Sequence, residues 1–352
     1  MKIMVDMGHP AHVHFFRHCM REMEGEGHQF LVTARDKDVT LQLLRAYSID
    51  HTVVGKMGEG KLGLAREWLG RERDLYAIAG NIKPDVLTGI HNFCMAHISK
   101  LMKARSVIFT DTEHAKLANM LTFPFADVIC TPSCFNKDLG KKQVRYNGYH
   151  ELAYLSPDYF IPNPSVLEEV GLKADDKFVL LRFVSWGAAH DINQHGLSLE
   201  GKRQLIKELE KYARVFITSE GSLPDEFSRY SVDIPPQKFH DILYYAELCV
   251  SEGGTTATEA AVLGVPSIHI STTASLCGNF TELNERYGLI MSFSDEKEVV
   301  AHATGLLAKG NAKEEWRQKK EKMLAEKINV TNFITDTIKT QYNLLLRKEG
   351  LK

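Results

Sequence analysis

The stretch Val250-Ser251-Glu252-Gly253-Gly254-Thr255-Thr256-Ala257-Thr258-Glu259-Ala260-Ala261-Val262-Leu263-Gly264-Val265-Pro266-Ser267-Ile268 decides the fold. It reads as a buried strand, a double-glycine turn, a threonine-rich helix start, a helix that stops at Gly264, and a further strand. A strand that turns straight into a helix feeding the next strand is a βαβ unit, and such units build parallel sheets. Without side chains at Gly253 and Gly254 the backbone can approach a ligand closely. The amides and positive dipole end of the following helix, which opens at Thr255 and Thr256, favour phosphate. Glu259, about one turn further on, could accept hydrogen bonds from a vicinal diol such as a ribose. The same residues also fit a plain tight turn with Glu259 as a solvated helix residue.

The strand and helix alternation continues on both sides. Strands are expected near 2–7, 28–33, 51–54, 85–88, 105–110 and 127–130, then at Phe178–Val184 and near 214–218, 247–251 and 266–270. Helices are expected near 199–212, 238–246, 255–263 and 295–308. Between the halves, His150 to Pro164 carries Pro157, Pro162 and Pro164 without sustained periodicity, which predicts an interdomain linker. The fold class expected is α/β, with two Rossmann-like doubly wound domains. The first spans 1–150 and is completed by a returning C-terminal helix within 328–352; the second spans 163–327. That last helix presents Ile334, Ile338, Tyr342 and Leu345 on one stripe, which needs an apolar surface of its own.

Composition narrows the function. The 352 residues suit two domains, and 44% hydrophobic with 25% charged residues excludes a disordered or fibrous chain. With 43 basic and 45 acidic residues the formal charge is −2, so no global field draws nucleic acid, and no nucleic-acid partner is expected. The six cysteines are scattered without a zinc-site pattern and read as reduced. The chain opens on a strand rather than an apolar leader and has no run of about 18 apolar residues, so a cytoplasmic location is expected. Lys313, Arg317, Lys319, Lys320, Lys322 and Lys327 alternate with glutamates over 311–327. They read as a solvated helix face, with peripheral contact at the inner face of a membrane kept as the alternative.

Two further clusters bear on chemistry. Asp6-Met7-Gly8-His9-Pro10-Ala11-His12-Val13-His14-Phe15-Phe16 sets three histidines just after the first strand. No second cluster of fitting spacing completes a metal site, so no metal is expected. With a helix beginning near Val13, His14 faces solvent and His12 sits at the helix start. A near-neutral imidazole there can take a proton from a hydroxyl; the alternative is His12 as a helix cap or buried polar residue. Asp111-Thr112-Glu113-His114 ends the strand near 105–110. A carboxylate there could orient an acceptor or act as base, or Asp111 or Thr112 could cap a helix starting at Glu113.

The Gly253–Pro266 stretch resembles the nucleotide-sugar site of GT-B glycosyltransferases. It is similar in particular to the N-acetylglucosaminyltransferases that form lipid II and to the non-hydrolysing UDP-N-acetylglucosamine 2-epimerases. The resemblance implies that Gly253, Gly254, Thr255 and Thr256 bind a diphosphate and Glu259 the ribose. It places the base near Phe239 in Pro235–Leu243, and donor-facing loops at Ser185-Trp186-Gly187 and Ser219-Glu220. Gly8 and His12 match the first glycine-rich loop of the transferases, although Pro10-Ala11 replaces its glycines. His12 and Glu113 are then the implied catalytic residues, with His9, Asp111 and His114 on the acceptor side. Nearly the whole length resembles a family of GT-B-like proteins without an assigned reaction.

The resemblance implies an active site in a cleft between the domains. Its implied reaction is glycosyl transfer from a nucleoside-diphosphate sugar, with UDP as the nucleotide, to a glycan or lipid-linked acceptor in cell-surface glycan biosynthesis. No metal or other cofactor is needed. A UDP-sugar 2-epimerase is the first alternative. Phe183-Val184-Ser185-Trp186-Gly187 stands where those enzymes carry a His-Arg-Arg-Glu-Asn run, but His190 and Asp191 follow shortly after. A non-catalytic nucleotide-sugar-binding protein is the second.

Overall fold

The computed structural model describes the chain outside residues 57–59, 185–195, 220, 222, 349 and 351–352, and side chains outside 56–67 as well. It divides into two compact units, Met1–Tyr154 with Ile328–Lys352, and Leu155–Lys327.

The first unit holds β1 (Lys2–Met7), β2 (Gln29–Asp36), β3 (Thr52–Lys56), β4 (Val86–Ile90), β5 (Arg105–Phe109), β6 (Val128–Pro132) and β7 (Gln143–Tyr146). They form one parallel sheet in the order β3-β2-β1-β4-β5-β6-β7. The connecting helices are α1 (Pro10–Gly25), α2 (Thr40–Ala46), α3 (Gly60–Ile82), α4 (Phe93–Met102), α5 (Lys116–Thr122) and α6 (Leu152–Leu155). Because β4 adds on the far side of β1 from β2, the winding reverses between β1 and β4. In open parallel sheets ligands bind outside the strand C-termini at such a reversal.

In the second unit, β8 (Phe178–Phe183), β9 (Arg214–Ser219), β10 (Leu248–Ser251), β11 (Ser267–Ile270) and β12 (Ile290–Phe293) form a parallel sheet. Its order is β12-β11-β10-β8-β9, so the reversal lies between β8 and β10. The helices are α7 (Ser165–Glu169), α8 (Leu199–Leu209), α9 (Phe239–Tyr245), α10 (Gly254–Leu263), α11 (Gly278–Thr281), α12 (Glu296–Lys309) and α13 (Ala312–Glu326). Trp316 and Met323 anchor α13 inward, while most of its charged side chains stay at least partly exposed.

The C-terminal helix α14 (Val330–Lys348) packs against α1, β4 and β5. Val330, Ile334, Ile338 and Leu345 are buried there, and the Thr331 hydroxyl donates to the Ala153 carbonyl at 2.8 Å. Burying such side chains contributes roughly 1.5–3 kcal/mol each.

Several local expectations are corrected. Pro10, with its fixed φ and missing N–H, starts α1 three residues before Val13. His14 therefore turns inward: it is buried, and its ring stacks on Tyr154 at 5.2 Å. No helix starts at Glu113, because α5 begins at Lys116 behind Ala115, and neither Asp111 nor Thr112 caps it. The prolines do mark exposed chain, but the segment before them is packed, with Tyr149 through Ser156 all buried.

Candidate functional site

In the second unit, β10 runs in the middle of the sheet and ends at the winding reversal. The chain turns at Gly253 and enters α10 at Gly254. No side chain among the described residues caps α10, so its first amides point outward beyond the sheet. Crowding explains both glycines. A Cβ on Gly253 would lie 3.1 Å from Val184 Cγ1, and one on Gly254 would lie 2.8 Å from Phe280 Cζ. The helix ends cleanly where Gly264, with φ +76°, takes the left-handed turn. Thr255 is half-buried and Thr256 buried.

A polar row lies at the last pleat of this sheet. Thr218, Arg182, Ser251, His269 and Ser292 are register partners across β9, β8, β10, β11 and β12. Side chains in one register row share a face. His269 is buried with its ring 4.5 Å from that of Phe280, and burial pushes its pKa down to about 4, so it is neutral near pH 7. The His269 Nδ1, Thr218 Oγ1 and Ser292 Oγ atoms are buried without hydrogen bonds among the described residues.

Glu252 was not singled out by the sequence, yet it organises this end of the unit. It is 2% exposed. One carboxylate oxygen accepts the Val184 amide at 3.0 Å; the other accepts the Leu197 amide at 2.9 Å and faces Lys202 Nζ at 3.2 Å. Burial raises its pKa, partly offset by Lys202 and the two amides. A cavity of about 190 Å³ opens beside it, lined by Phe183, Val184, Lys202, Ser219, Leu223 and Phe227 among others. The Ser219 hydroxyl accepts the Gly221 amide at 3.3 Å. Nothing local in Ser-Glu-Gly-Gly marks this role, because the partners lie 68 and 55 residues away in sequence.

Glu259 is neither solvated nor waiting on an open surface. It is buried, and its Oε1 is 2.9 Å from Nε2 of His240, which is also buried. Phe239, half-buried, sits with its ring 5.8 Å from that of His240. Phe239 and Glu259 thus meet around His240. Ser185, Trp186, Gly187 and Glu220, with His190 and Asp191, lie outside the described residues.

In the first unit the winding reversal gathers the other candidates. His9 caps α1, its Nδ1 accepting the Ala11 amide at 3.2 Å, and His12 Nδ1 accepts the Gly8 amide at 3.2 Å. Burial holds the His12 pKa well below its ordinary value, reinforced by His9, His150, Lys37 and His91. His91 follows β4 with φ 49°, a left-handed conformation that costs a non-glycine residue energy. Thr110 and Asp111 follow β5, and Asp111 Oδ2 lies 3.4 Å from Nδ1 of His150. His114, half-buried, is close enough to His91 to lower its pKa. Glu113 is buried: its Oε1 accepts the Asn136 amide at 3.1 Å, and its carbonyl accepts Lys137 Nζ at 2.7 Å.

Asp6 underlies this cluster. It is fully buried, and its carboxylate accepts Arg71 Nη1 and Nη2 at 2.8 and 2.6 Å, the Thr33 hydroxyl at 2.7 Å and Asn92 Nδ2 at 2.6 Å. Asn92 in turn caps α4 by accepting the Met95 amide. Among the described residues no group of three His, Cys, Asp or Glu is placed to hold a metal ion, and no helix is long and apolar enough to cross a membrane.

Residues 1–339 match a family described as protein of unknown function (DUF354). An uncharacterized protein of Methanocaldococcus jannaschii, MJ0665, is 24% identical over 281 residues, which cover 76% of this chain and 81% of that one. Among solved structures, a Listeria monocytogenes protein described as a UDP-N-acetylglucosamine 2-epimerase superimposes with a TM-score of 0.71 at 13% identity, covering 98% of this chain and 97% of that one. S. aureus MnaA in complex with UDP gives 0.70 at 12% identity, covering 97% of each chain. The spinosyn forosaminyltransferase SpnP gives 0.64 at 14%, covering 98% of this chain and 99% of that one. At these identities the likeness establishes the fold, a GT-B-like pair of Rossmann-like domains.

Proposed function

The chain belongs to the family of unknown function DUF354, and on that premise we propose that it transfers a sugar from a nucleoside-diphosphate donor, with UDP as the nucleotide, to a hydroxyl acceptor. One observation carries the reading. The uncapped N-terminus of α10 opens at the winding reversal of the second sheet, behind two glycines that keep side chains away. Its outward amides and dipole suit a diphosphate and would stabilise the charge that develops as it departs, without a metal. The His240–Glu259 pair, with Phe239 beside it, suits the ribose and base: Glu259 orients His240, and the two together can accept and donate to a diol.

The first unit supplies the acceptor side in this reading. Burial holds the imidazoles of His12, His91 and His150 below their ordinary pKa, and a neutral imidazole in this cluster can take up the proton that an acceptor hydroxyl must lose. Two structural neighbours support the nucleotide class: MnaA is complexed with UDP and the rhamnosyltransferase SpnG with thymidine diphosphate. The two higher TM-scores belong to the Listeria protein and MnaA, which keeps 2-epimerisation of a UDP-sugar as the second reading.

Incubation with UDP-N-acetylglucosamine separates the two. Transfer or hydrolysis releases UDP, whereas epimerisation accumulates the 2-epimer of the intact donor. Neither product, together with no UDP binding, would refute the proposal.

A further inference from the structure

We infer that His150, held by Asp111, is the proton-accepting catalytic residue of the first unit, with Asp111 as its positioning residue. The inference rests on the glycosyl-transfer reading above. His150 is 7% exposed, with its ring 4.7 Å from Phe15 and stacked 6.4 Å from Tyr146. Nδ1 faces Asp111 Oδ2 at 3.4 Å. An ionised carboxylate only accepts, so it places the ring proton on Nδ1 and leaves the lone pair on Nε2. Nε2 is buried and makes no hydrogen bond among the described residues. Leaving a buried polar atom unsatisfied is costly, and proteins retain such atoms where chemistry uses them. His12, by contrast, already spends Nδ1 on the Gly8 amide.

The groups around His150 fit the role. Asp111 comes from the end of β5, Phe15 and His12 from α1, His91 from the end of β4, and Tyr146 from β7. Burial lowers the His150 pKa against the raising influence of Asp111, so the ring is neutral at pH 7. Burial and the nearby Asp111 hold the Tyr146 phenol protonated. His150 also lowers the pKa of His12, so a proton on one ring disfavours a proton on the other. In the reaction, the acceptor oxygen forms a bond to the anomeric carbon of the donor. The bond from that carbon to the diphosphate oxygen breaks, and its electron pair leaves with the diphosphate. The acceptor's proton passes to Nε2 of His150, giving an imidazolium opposite Asp111 that later returns the proton to water.

The test uses the full chain, with UDP-N-acetylglucosamine as probe donor and water as acceptor, read as UDP release. His150→Gln is expected to lower kcat by ~10²–10⁴-fold, the range for general base catalysis, with KM changed only a few-fold. Asp111→Asn removes the influence that raises the His150 pKa, so the acidic limb of the kcat profile moves to lower pH, and Asp111→Glu restores it. Ring ¹⁵N NMR of the wild type and Asp111→Asn follows the His150 titration without any turnover. A midpoint that does not fall in Asp111→Asn, or a folded His150→Gln with kcat within three-fold of wild type, overturns the inference. Failure of the parent reading shows separately, as a wild type that binds no UDP by calorimetry.

Discussion

Replacing Asp6 by Asn should unsettle the first unit while sparing nucleotide binding. The carboxylate is fully buried and accepts four hydrogen bonds, two of them from an Arg71 guanidinium that is itself only 9% exposed. Asn keeps the shape but removes the charge, and its amide nitrogen offers a donor where Arg71 or Asn92 also offers one. Breaking a buried ion pair on one side costs about 3–5 kcal/mol, because the other charge stays behind uncompensated. For a unit of this size each kcal/mol lowers the melting temperature by about 2–4 °C, so the expected fall is about 6–20 °C. Differential scanning calorimetry of the full chain reads it as a shift of the transition that UDP does not raise. Arg71→Met combined with Asp6→Asn should recover part of the loss, since the stranded charge is then gone. A single-variant shift under 2 °C would show that Asp6 and Arg71 do not form the floor beneath the His9–His12 loop.

Other outcomes follow from the second unit. The folded-state pKa of His269, about 4, lies below its unfolded value near 6.5, so its neutral form contributes stability that is lost as pH falls from 6.5 towards 4; His269→Gln should flatten that part of the urea-midpoint profile. Glu252 runs the other way: its folded pKa is raised, so it contributes stability at low pH that is lost as pH rises from about 4.5 through the folded value, and Glu252→Gln should remove this slope. Glu259→Gln keeps an oxygen for His240 but loses the charge; with charged hydrogen bonds contributing about 1.5–3 kcal/mol, UDP affinity should fall roughly 10–150-fold by calorimetry, and an unchanged Kd would remove Glu259 from the site.

The alternation of short apolar runs with helical periodicity made the α/β class legible, because buried parallel strands such as β8 and β10 read as apolar runs without alternation, interrupted only by Arg182 in β8 and closed by Ser251 in β10. Two strands were not. Gln143–Tyr146 is a half-exposed edge strand with a polar sequence, and Ile290–Phe293 is only four residues long at the opposite edge of the other sheet. The turn at Gly253-Gly254 was legible because its chemistry is local: two glycines and a helix start need no distant partner. Glu252, His240 and Asp6 were opaque for the converse reason, since each takes its role from residues 19 to 86 positions away. His150 was hidden by its neighbours, because the prolines after it suggest exposed chain while the tyrosines around it fold inward.

The most direct test of nucleotide binding at the α10 N-terminus is a calorimetric titration of UDP into the wild type and into Gly254→Val. A side chain at 254, the first residue of α10, would press on Phe280. Saturable one-to-one binding by the wild type, weakened at least tenfold in a variant that remains folded, is the result expected. No binding by the wild type at millimolar UDP, or equal affinity in the two proteins, would contradict it.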